Sequence, residues 1–481
     1  MRRRDVLLFV LGLLIGGFTI LRGIGPHDEG LMLQAGERIA AGQWPYRDFW
    51  TNYQPGQGVV LAGLSTVFGP SLLAWRIVAL LLTALTGVLA YRLVRRERHE
   101  GIALLAWLAA VTALAWPTGP GPNPPALALG LGAVLLARRS PLGAGALAGA
   151  AVWFRPEIGV ACALGVWLSC GDATRWRAMG VGLAVAVVGL LPFAIAAGGA
   201  MWDQTIGFLL DQQGLQRLPL LPAYGGGADP NRLLEWAFPA LLLVATAAWV
   251  VWWVVRRPPL AAWALAPLAL FGLGYLLGRT DEFHYVPLSL ALAVLLGVAA
   301  AREWPGPWRW ALVLALAVIA VHGVERRVGQ LLHPPALAAV PGGVGDGVKT
   351  DPADAAALAG LIPRVRALTP GGESVLVVPP RTDRVTVGDP LLYVLLRRPN
   401  PTEYDVMQPG VVTTAAAQRS MIADLERART PVVIRWLDPR TAPEDNAGGR
   451  LRGATLLDRY LDRTYAPTAR YGPYAVYTRQ R

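Results

Sequence analysis

Lysine is nearly missing from this chain: Lys349 is the only one among 481 residues. The positive charge is therefore almost entirely guanidinium. Cysteine occurs twice, at Cys162 and Cys170 within one apolar segment. On a helix these two stand about 12 Å apart, too far for a disulfide, so neither a bridge framework nor a cysteine metal site is expected. Charged residues make up only 16%. Soluble domains carry roughly 25%, so an ordinary cytosolic enzyme is disfavoured. Disorder is excluded too, because that state needs a polar and highly charged chain. The 44 basic residues exceed the 32 acidic ones by 12. No basic stripe with interleaved aromatics accompanies the excess, and a nucleic-acid surface is not indicated.

What the chain does have is apolar blocks, such as Val6–Ile24 and Leu72–Val94, within a composition that is 54% hydrophobic. Blocks near twenty residues match about 30 Å of hydrocarbon, which predicts a polytopic membrane protein. Short basic clusters punctuate the blocks: Arg2–Arg4, Arg95 to Arg98, Arg138-Arg139, Arg175 to Arg177, Arg256-Arg257 and Arg302 to Arg309. If each faces the cytoplasm, outward helices fall near 6–24, 101–117, 142–154, 178–197, 260–278 and 309–324. Inward helices fall near 72–94, 122–137, 157–170, 233–255 and 284–300. That predicts eleven crossings of an inner, cytoplasmic membrane, with the N-terminus cytoplasmic and the C-terminus outside. The first block resembles a signal peptide, but no small-residue cleavage site precedes Arg22, which favours a retained helix. Residues 141–170 are ambiguous, since two helices of about 14 residues are short for crossings and also fit a re-entrant hairpin.

Four regions are then external: the first loop from about 25 to 70, the turn Gly119–Pro125, the segment Gly198–Asn231, and the tail. A Pro/Gly stretch, 333–347, reads as a linker after a membrane domain spanning 1–332. Helical spacing in Ala355–Leu368 and Gln418–Arg429 alternates with β-rich runs at Ser374–Val378, Pro431–Trp436 and Tyr474–Thr478. Residues 348–481 are thus expected to form an extracytoplasmic α/β domain. The fold class expected is mainly α, a transmembrane helical bundle carrying that C-terminal domain.

Ionic residues that topology does not require collect on the external side. Asp28 and Glu29 follow the first helix; one carboxylate with a raised pKa would serve as general base. Asp28 reads equally well as a helix N-cap, with Glu29 favouring the positive helix end. Further along the loop come Tyr46, Arg47, Asp48 and Tyr53, among tryptophans suited to the headgroup level. Arg279, Asp281 and His284 end an outward helix, and Arg with His is a phosphate-binding pair. An ordinary loop with Arg279 paired to Asp281 is the plainer reading. Arg155 and Glu157 flank Pro156, either as a structural pair or as helpers, and Arg76 is expected to snorkel to the headgroups. Asp203, Asp211 and Arg217 are polar candidates without a pattern. His27, Asp28, Glu29, Asp281 and His284 together could hold a divalent metal, but no fixed ligand spacing supports one, so no cofactor is expected. An active site at the membrane surface is therefore favoured over a conduction path, which would place ionisable residues at mid-depth.

In these residues the chain resembles the GT-C superfamily of membrane glycosyltransferases, in the bacterial branch of protein O-mannosyltransferase, aminoarabinose transferase and RgtA/B/C/D-like proteins. The matches are Asp28-Glu29, Gly42 with Pro45-Tyr46-Arg47-Asp48-Phe49, Arg155-Pro156-Glu157, and Arg279-Thr280-Asp281 with His284. Asn400 to Asp405, Pro409-Gly410 and Ile422 to Glu426 extend the likeness into the tail. The resemblance implies transfer of a sugar from a polyprenyl-phosphate donor to a protein, lipid or glycan hydroxyl outside the membrane. It implies Asp28 or Glu29 as base, and Arg279, His284 and Arg155 as neutralisers of the departing phosphate. Tyr46, Arg47, Asp48, Tyr53, Glu157 and Asp281 would line the substrates. Two other classes stay open: a transporter or flippase of a lipid-linked saccharide, and a non-catalytic envelope scaffold.

Overall fold

The computed structural model describes residues 3–114, 119–212, 214–225, 227, 229–303, 306–384, 387–406 and 411–480. Arg2, the end of the block expected at 101–117, part of Arg302 to Arg309 and Pro409-Gly410 lie outside them.

The chain begins with α1 (Arg3–Ile20), α2 (Asp28–Ala40), α3 (Pro55–Phe68), α4 (Leu72–Arg95) and α5 (Glu100–Leu114). Then come α6 (Asn123–Leu136), α7 (Pro141–Val152), α8 (Pro156–Ser169), α9 (Asp172–Ala197), α10 (Gly199–Trp202) and α11 (Phe208–Gln212). The membrane region closes with α12 (Pro230–Arg256), α13 (Ala266–Gly278), α14 (Glu282–Arg302) and α15 (Arg309–Leu332). A helix lies in each of the eleven expected blocks. Among the described residues, α4, α9, α12 and α14 are long and apolar enough to cross a membrane, and α3, α5, α6, α7, α8 and α13 are shorter apolar helices. The apolar α3 lies inside the stretch that reads from sequence as the first external region, up to about residue 70. Pro55 at its first position presets the helical φ and needs no hydrogen-bond partner.

Burial sorts these helices. Every residue of α14 from Tyr285 to Ala301 is buried, so α14 is the axis of the bundle. By contrast α9 turns Leu183, Val188 and Ile195 outward, each about two-thirds or more exposed, as a lipid-facing helix does. The backbones of α7 and α9 meet closely. A Cβ on Gly145 or Gly149 would lie 2.0 or 2.2 Å from the carbonyl oxygens of Ala178 and Gly182. Small residues permit that approach, and dispersion and packing then hold the pair.

The tail holds β1 (Ala338–Ala339), β2 (Lys349–Thr350), α16 (Pro352–Leu368), β3 (Val375–Val378), α17 (Leu391–Leu396) and α18 (Ala415–Arg427). It ends with β4 (Val432–Trp436), α19 (Ala447–Arg450), α20 (Leu456–Thr464), β5 (Tyr465–Tyr471) and β6 (Tyr474–Arg479). The four-stranded sheet runs β3-β4-β6-β5, with β3 and β4 parallel and the other neighbours antiparallel. This mixed sheet with α16, α18 and α20 is the α/β unit expected; α17, α20 and β5 are additions.

Tail and first loop share one apolar core. Leu31, Met32 and Leu33 of α2 and Trp75 of α4 pack with Leu391 to Leu396, Leu361 and Trp436. The segment 333–347 contributes Val340 and Val344 to the same core. Beside it, Arg38 pairs with Asp405, Nε to Oδ2 2.8 Å, and donates to the Thr402 carbonyl at 2.6 Å. Asn400 donates to Asp405 at 2.8 Å and Trp50 N–H to the Glu403 carbonyl at 2.8 Å. The Asn400-to-Asp405 stretch is thus an anchor for α2.

Candidate active site

The first-loop carboxylates have different surroundings. Glu29 is 7% exposed and accepts from Arg76 Nε and Nη2, both at 2.7 Å, and from Gly25 N–H at 2.9 Å. Arg76 also donates to the carbonyls of Ile20 and Gly23, each at 2.8 Å. Snorkelling is therefore corrected: Arg76 is buried, because a carboxylate and two carbonyls satisfy its charge inside the protein. Asp28 opens α2 but does not cap it; the N-cap is His27, which makes no side-chain cap bond. Among the described residues Asp28 is exposed and makes no hydrogen bond or ion pair. Both Glu29 oxygens are thus occupied, whereas those of Asp28 are not.

Around Asp28 the distant candidates converge. His27 lies within the electrostatic reach of Asp28, Arg279 and Glu444; its Nδ1 accepts from Gly388 N–H at 3.3 Å, leaving the proton on Nε2. Burial holds this imidazole below its usual range. Tyr53 lies within reach of Asp28, Arg155, Tyr275 and Asp281, and burial raises its phenol pKa, further aided by the nearby carboxylates. Arg155 pairs with Glu157, and its guanidinium lies 4.8 Å from the Tyr275 ring centre and 5.4 Å from that of Phe283.

The α14 N-terminus builds the next wall. Asp281 is its N-cap, accepting from His284 N–H at 3.0 Å and bonded to His284 Nδ1 at 2.5 Å. The His284 ring rests 4.3 Å from Tyr275. Arg279 Nε donates to Asp281 at 2.5 Å, and Nη1 to the Gln216 carbonyl at 3.3 Å. Nη1 also reaches Glu444 of the tail at 2.8 Å, and Nη2 bonds the same carboxylate. Burial alone would raise the Asp281 carboxyl, but His284 and Arg279 more than offset it and hold it below the usual range. Glu444 follows the same pattern, held down by Arg279 and Asn446.

Not every expected residue joins. Tyr46 is 2% exposed and supports the cluster from behind, donating to the Tyr53 carbonyl at 2.8 Å. Arg47 and Asp48 pair with each other at 2.9 and 2.8 Å in an exposed turn, where Asp48 also accepts from Trp44 N–H. From the segment between α9 and α12, Gln204 bridges Thr51 N–H and the Tyr46 carbonyl, at 3.0 and 2.9 Å, whereas among the described residues Asp203, Asp211 and Arg217 show no such tie to the first loop. The five-residue metal set does not assemble: Glu29 is taken by Arg76, Asp281 by Arg279 and His284, and the described residues contain no group of three ligands. Glu444, Tyr275, Gln204 and Phe283 carry no sequence signal that marks them as neighbours of this site.

An apolar cavity of about 470 Å³ approaches from between α3, α4, α6 and α7, bounded by Gln57, Trp75, Leu82, Leu129 and Phe154. Close in sequence to its lining residues Gln57, Gly121 and Phe154, Gln54 Oε1, Asn123 Oδ1 and Arg155 Nε are buried without hydrogen-bond partners. Unpaired buried polar atoms are costly, and a ligand with both donors and acceptors would satisfy them.

No family model matches the chain, and no curated protein matches it in sequence. Solved structures do. ArnT from Cupriavidus metallidurans bound to undecaprenyl phosphate is 16% identical, with a TM-score of 0.57 covering 99% of this chain and 98% of that one. The archaeal oligosaccharyltransferase AglB from Archaeoglobus fulgidus, in complex with an inhibitory peptide and a dolichol-phosphate, is 12% identical at TM-score 0.55, covering 100% and 74%. Another Archaeoglobus fulgidus oligosaccharyltransferase structure, in complex with Zn and sulfate, has a TM-score of 0.53 over 89% and 68%. At these identities the likeness speaks to the fold alone, which this chain shares over nearly its whole length with the ArnT and oligosaccharyltransferase structures.

Proposed function

We propose that the protein transfers a sugar from a polyprenyl-phosphate donor to an acceptor hydroxyl at the outer face of the cytoplasmic membrane, with Asp28 as general base. The observation that carries this reading is a free, exposed carboxylate that shares its neighbours Tyr53 and His27 with two guanidinium groups. Asp28 faces no partner of its own, while Arg155 and Arg279 stand across Tyr53 and His27 from it. A carboxylate without a fixed partner can take a proton; one locked on a guanidinium cannot do so cheaply.

The acceptor oxygen attacks the anomeric carbon as its proton passes to Asp28. The bond from that carbon to the phosphate oxygen breaks, and the polyprenyl phosphate departs with the electron pair. Direct displacement inverts the anomeric centre. Arg155 and Arg279 neutralise the growing phosphate charge, the kind of preorganised electrostatic help that dominates many group transfers. His284, bonded to Asp281, positions that wall. The apolar cavity suits the isoprenoid chain, and the unpaired atoms of Gln54, Asn123 and Arg155 suit a phosphate with its sugar. The fold supports the reading, since the similar structures include one bound to undecaprenyl phosphate and one with a dolichol-phosphate.

The test is incubation of the detergent-purified protein with a panel of polyprenyl-phosphate sugars, following release of free polyprenyl phosphate. One donor is expected to react, and Asp28→Asn to slow it by about a hundredfold or more. Equal turnover by that variant would remove Asp28 as base, and silence with every donor would remove the reading.

A further inference from the structure

A second cavity adjoins the site from the other side of Asp281. It is an open cleft of about 540 Å³ between the 218–225 loop, the start of α12, the start of α14 and the end of α15. We propose that this cleft is the acceptor subsite and takes a saccharide unit, stacked on Trp236 and hydrogen-bonded by Glu235, Glu282 and Arg326; this rests on the glycosyltransfer reading above.

Chemistry, position and charge each point that way. Tyr224 and Trp236 stand with ring centres 5.3 Å apart, tilted by 53°, as an aromatic corner. The Trp236 Nε1–H is already donated to the Pro222 carbonyl at 2.6 Å, so what the indole offers a ligand is its face. A sugar ring presents a C–H face that packs on such a surface and a rim of hydroxyls that needs both donors and acceptors. Arg326 supplies the frame for those: Nε donates to Glu235 at 3.0 Å and Nη2 to Glu282 at 2.5 Å. The two carboxylates are nearly half exposed, leaving lone pairs for hydroxyl donors. Arg232, more exposed still and 3.6 Å from Asp229, adds a mobile donor.

Three acids, Glu235, Asp281 and Glu282, face two bases, Arg232 and Arg326, around the cleft, which suits a neutral polyhydroxylated ligand better than an anion. Its floor reaches Thr280 and Asp281, beside Arg279. The lipid-sized cavity lies on other helices, so two substrates would approach the same point by separate routes.

The test uses the whole protein in detergent and two independent probes. Methyl glycosides of glucose, mannose, galactose and arabinose are titrated by saturation-transfer NMR, and undecaprenyl phosphate is titrated separately. At least one glycoside is expected to bind the wild type and to bind Trp236→Ala about tenfold more weakly. Glu235→Gln is expected to weaken it several-fold, with undecaprenyl phosphate affinity unchanged in both variants. Equal glycoside binding by wild type and both variants overturns the subsite. So does binding of a serine-containing tripeptide that Trp236→Ala abolishes while no glycoside binds at all. Failure of undecaprenyl phosphate to bind would strike the glycosyltransfer reading instead, a result distinct from either. Because Glu235 is a surface residue, its variant keeps the test open if Trp236→Ala does not fold.

Discussion

Arg76 grips Glu29 with two nitrogens, each 2.7 Å from a carboxylate oxygen, and so ties α4 to α2. The pair is buried on both sides, so it holds α2 in place and fixes where Asp28 stands.

The adjacent acids are therefore expected to fail differently. Glu29→Gln leaves a buried guanidinium without its counter-charge and costs about 3 kcal/mol or more of stability. Asp28→Asn leaves the melting midpoint within a degree or two and removes turnover. Thermal melts with donor-release assays on both variants check this; a stable, active Asp28→Asn protein contradicts it.

Glu444 occupies the Arg279 fork in this structure and must yield if a phosphate is to use it. Glu444→Gln is expected to tighten undecaprenyl phosphate binding by about threefold to tenfold, whereas Arg279→Ala weakens it about tenfold or more. Equal affinities across the three proteins would show that the lipid phosphate binds elsewhere.

Arg155 acts through shape as well as charge, since its plane lies against Tyr275 and Phe283. Arg155→Lys keeps the charge but loses the stacked fork. The donor KM should rise by about tenfold with little change in the melting midpoint. A lysine variant with wild-type KM argues for a purely electrostatic role.

Asp389 gives the outer core a pH dependence. It accepts from Tyr474 O–H at 2.8 Å and Leu392 N–H at 3.2 Å, and burial pushes its carboxyl up to about 7. The unfolded chain ionises this group near 3.8. Between those values the folded state binds the extra proton, so stability falls as pH rises from about 4 to 7 and then levels. The loss attributable to this one group is of the order of 4 kcal/mol. Melting curves of the wild type and Asp389→Asn across that range measure it; parallel curves would show that Asp389 contributes nothing.

Gly30 has no room for a side chain. A Cβ there would stand 2.3 Å from the Leu391 nitrogen, whose N–H is bonded to the Pro26 carbonyl. Gly30→Ala is expected to undock α17 from α2, seen as faster proteolysis in the 384–415 region and loss of donor binding.

Much of this was readable from residues alone, for a physical reason. Apolar block length fixes where helices lie, and guanidinium clusters mark their ends, so α4, α9, α12 and α14 stood out. Asp28, Arg155 and Arg279 drew notice as three ionic groups without a topological duty. What could not be read is which of two adjacent acids is free, since a turn of about 100° around α2 decides whether a side chain meets Arg76. Glu444 was also hidden, as 165 residues separate it from Arg279. Strand β5, with its polar run and Pro467, carries a weak pattern because it lies at the sheet edge, where burial imposes little.

Leu31, Met32 and Leu33 owe their dry surroundings to side chains supplied more than three hundred residues later. A chain cut after Leu332 would not be a minimal enzyme, because helix α2 would meet water along its greasiest side and the acid beside it would drift. Chimeras that exchange tails between proteins of this shape should carry the segment between α1 and α4 across as well, since the two were fitted to each other as a single piece.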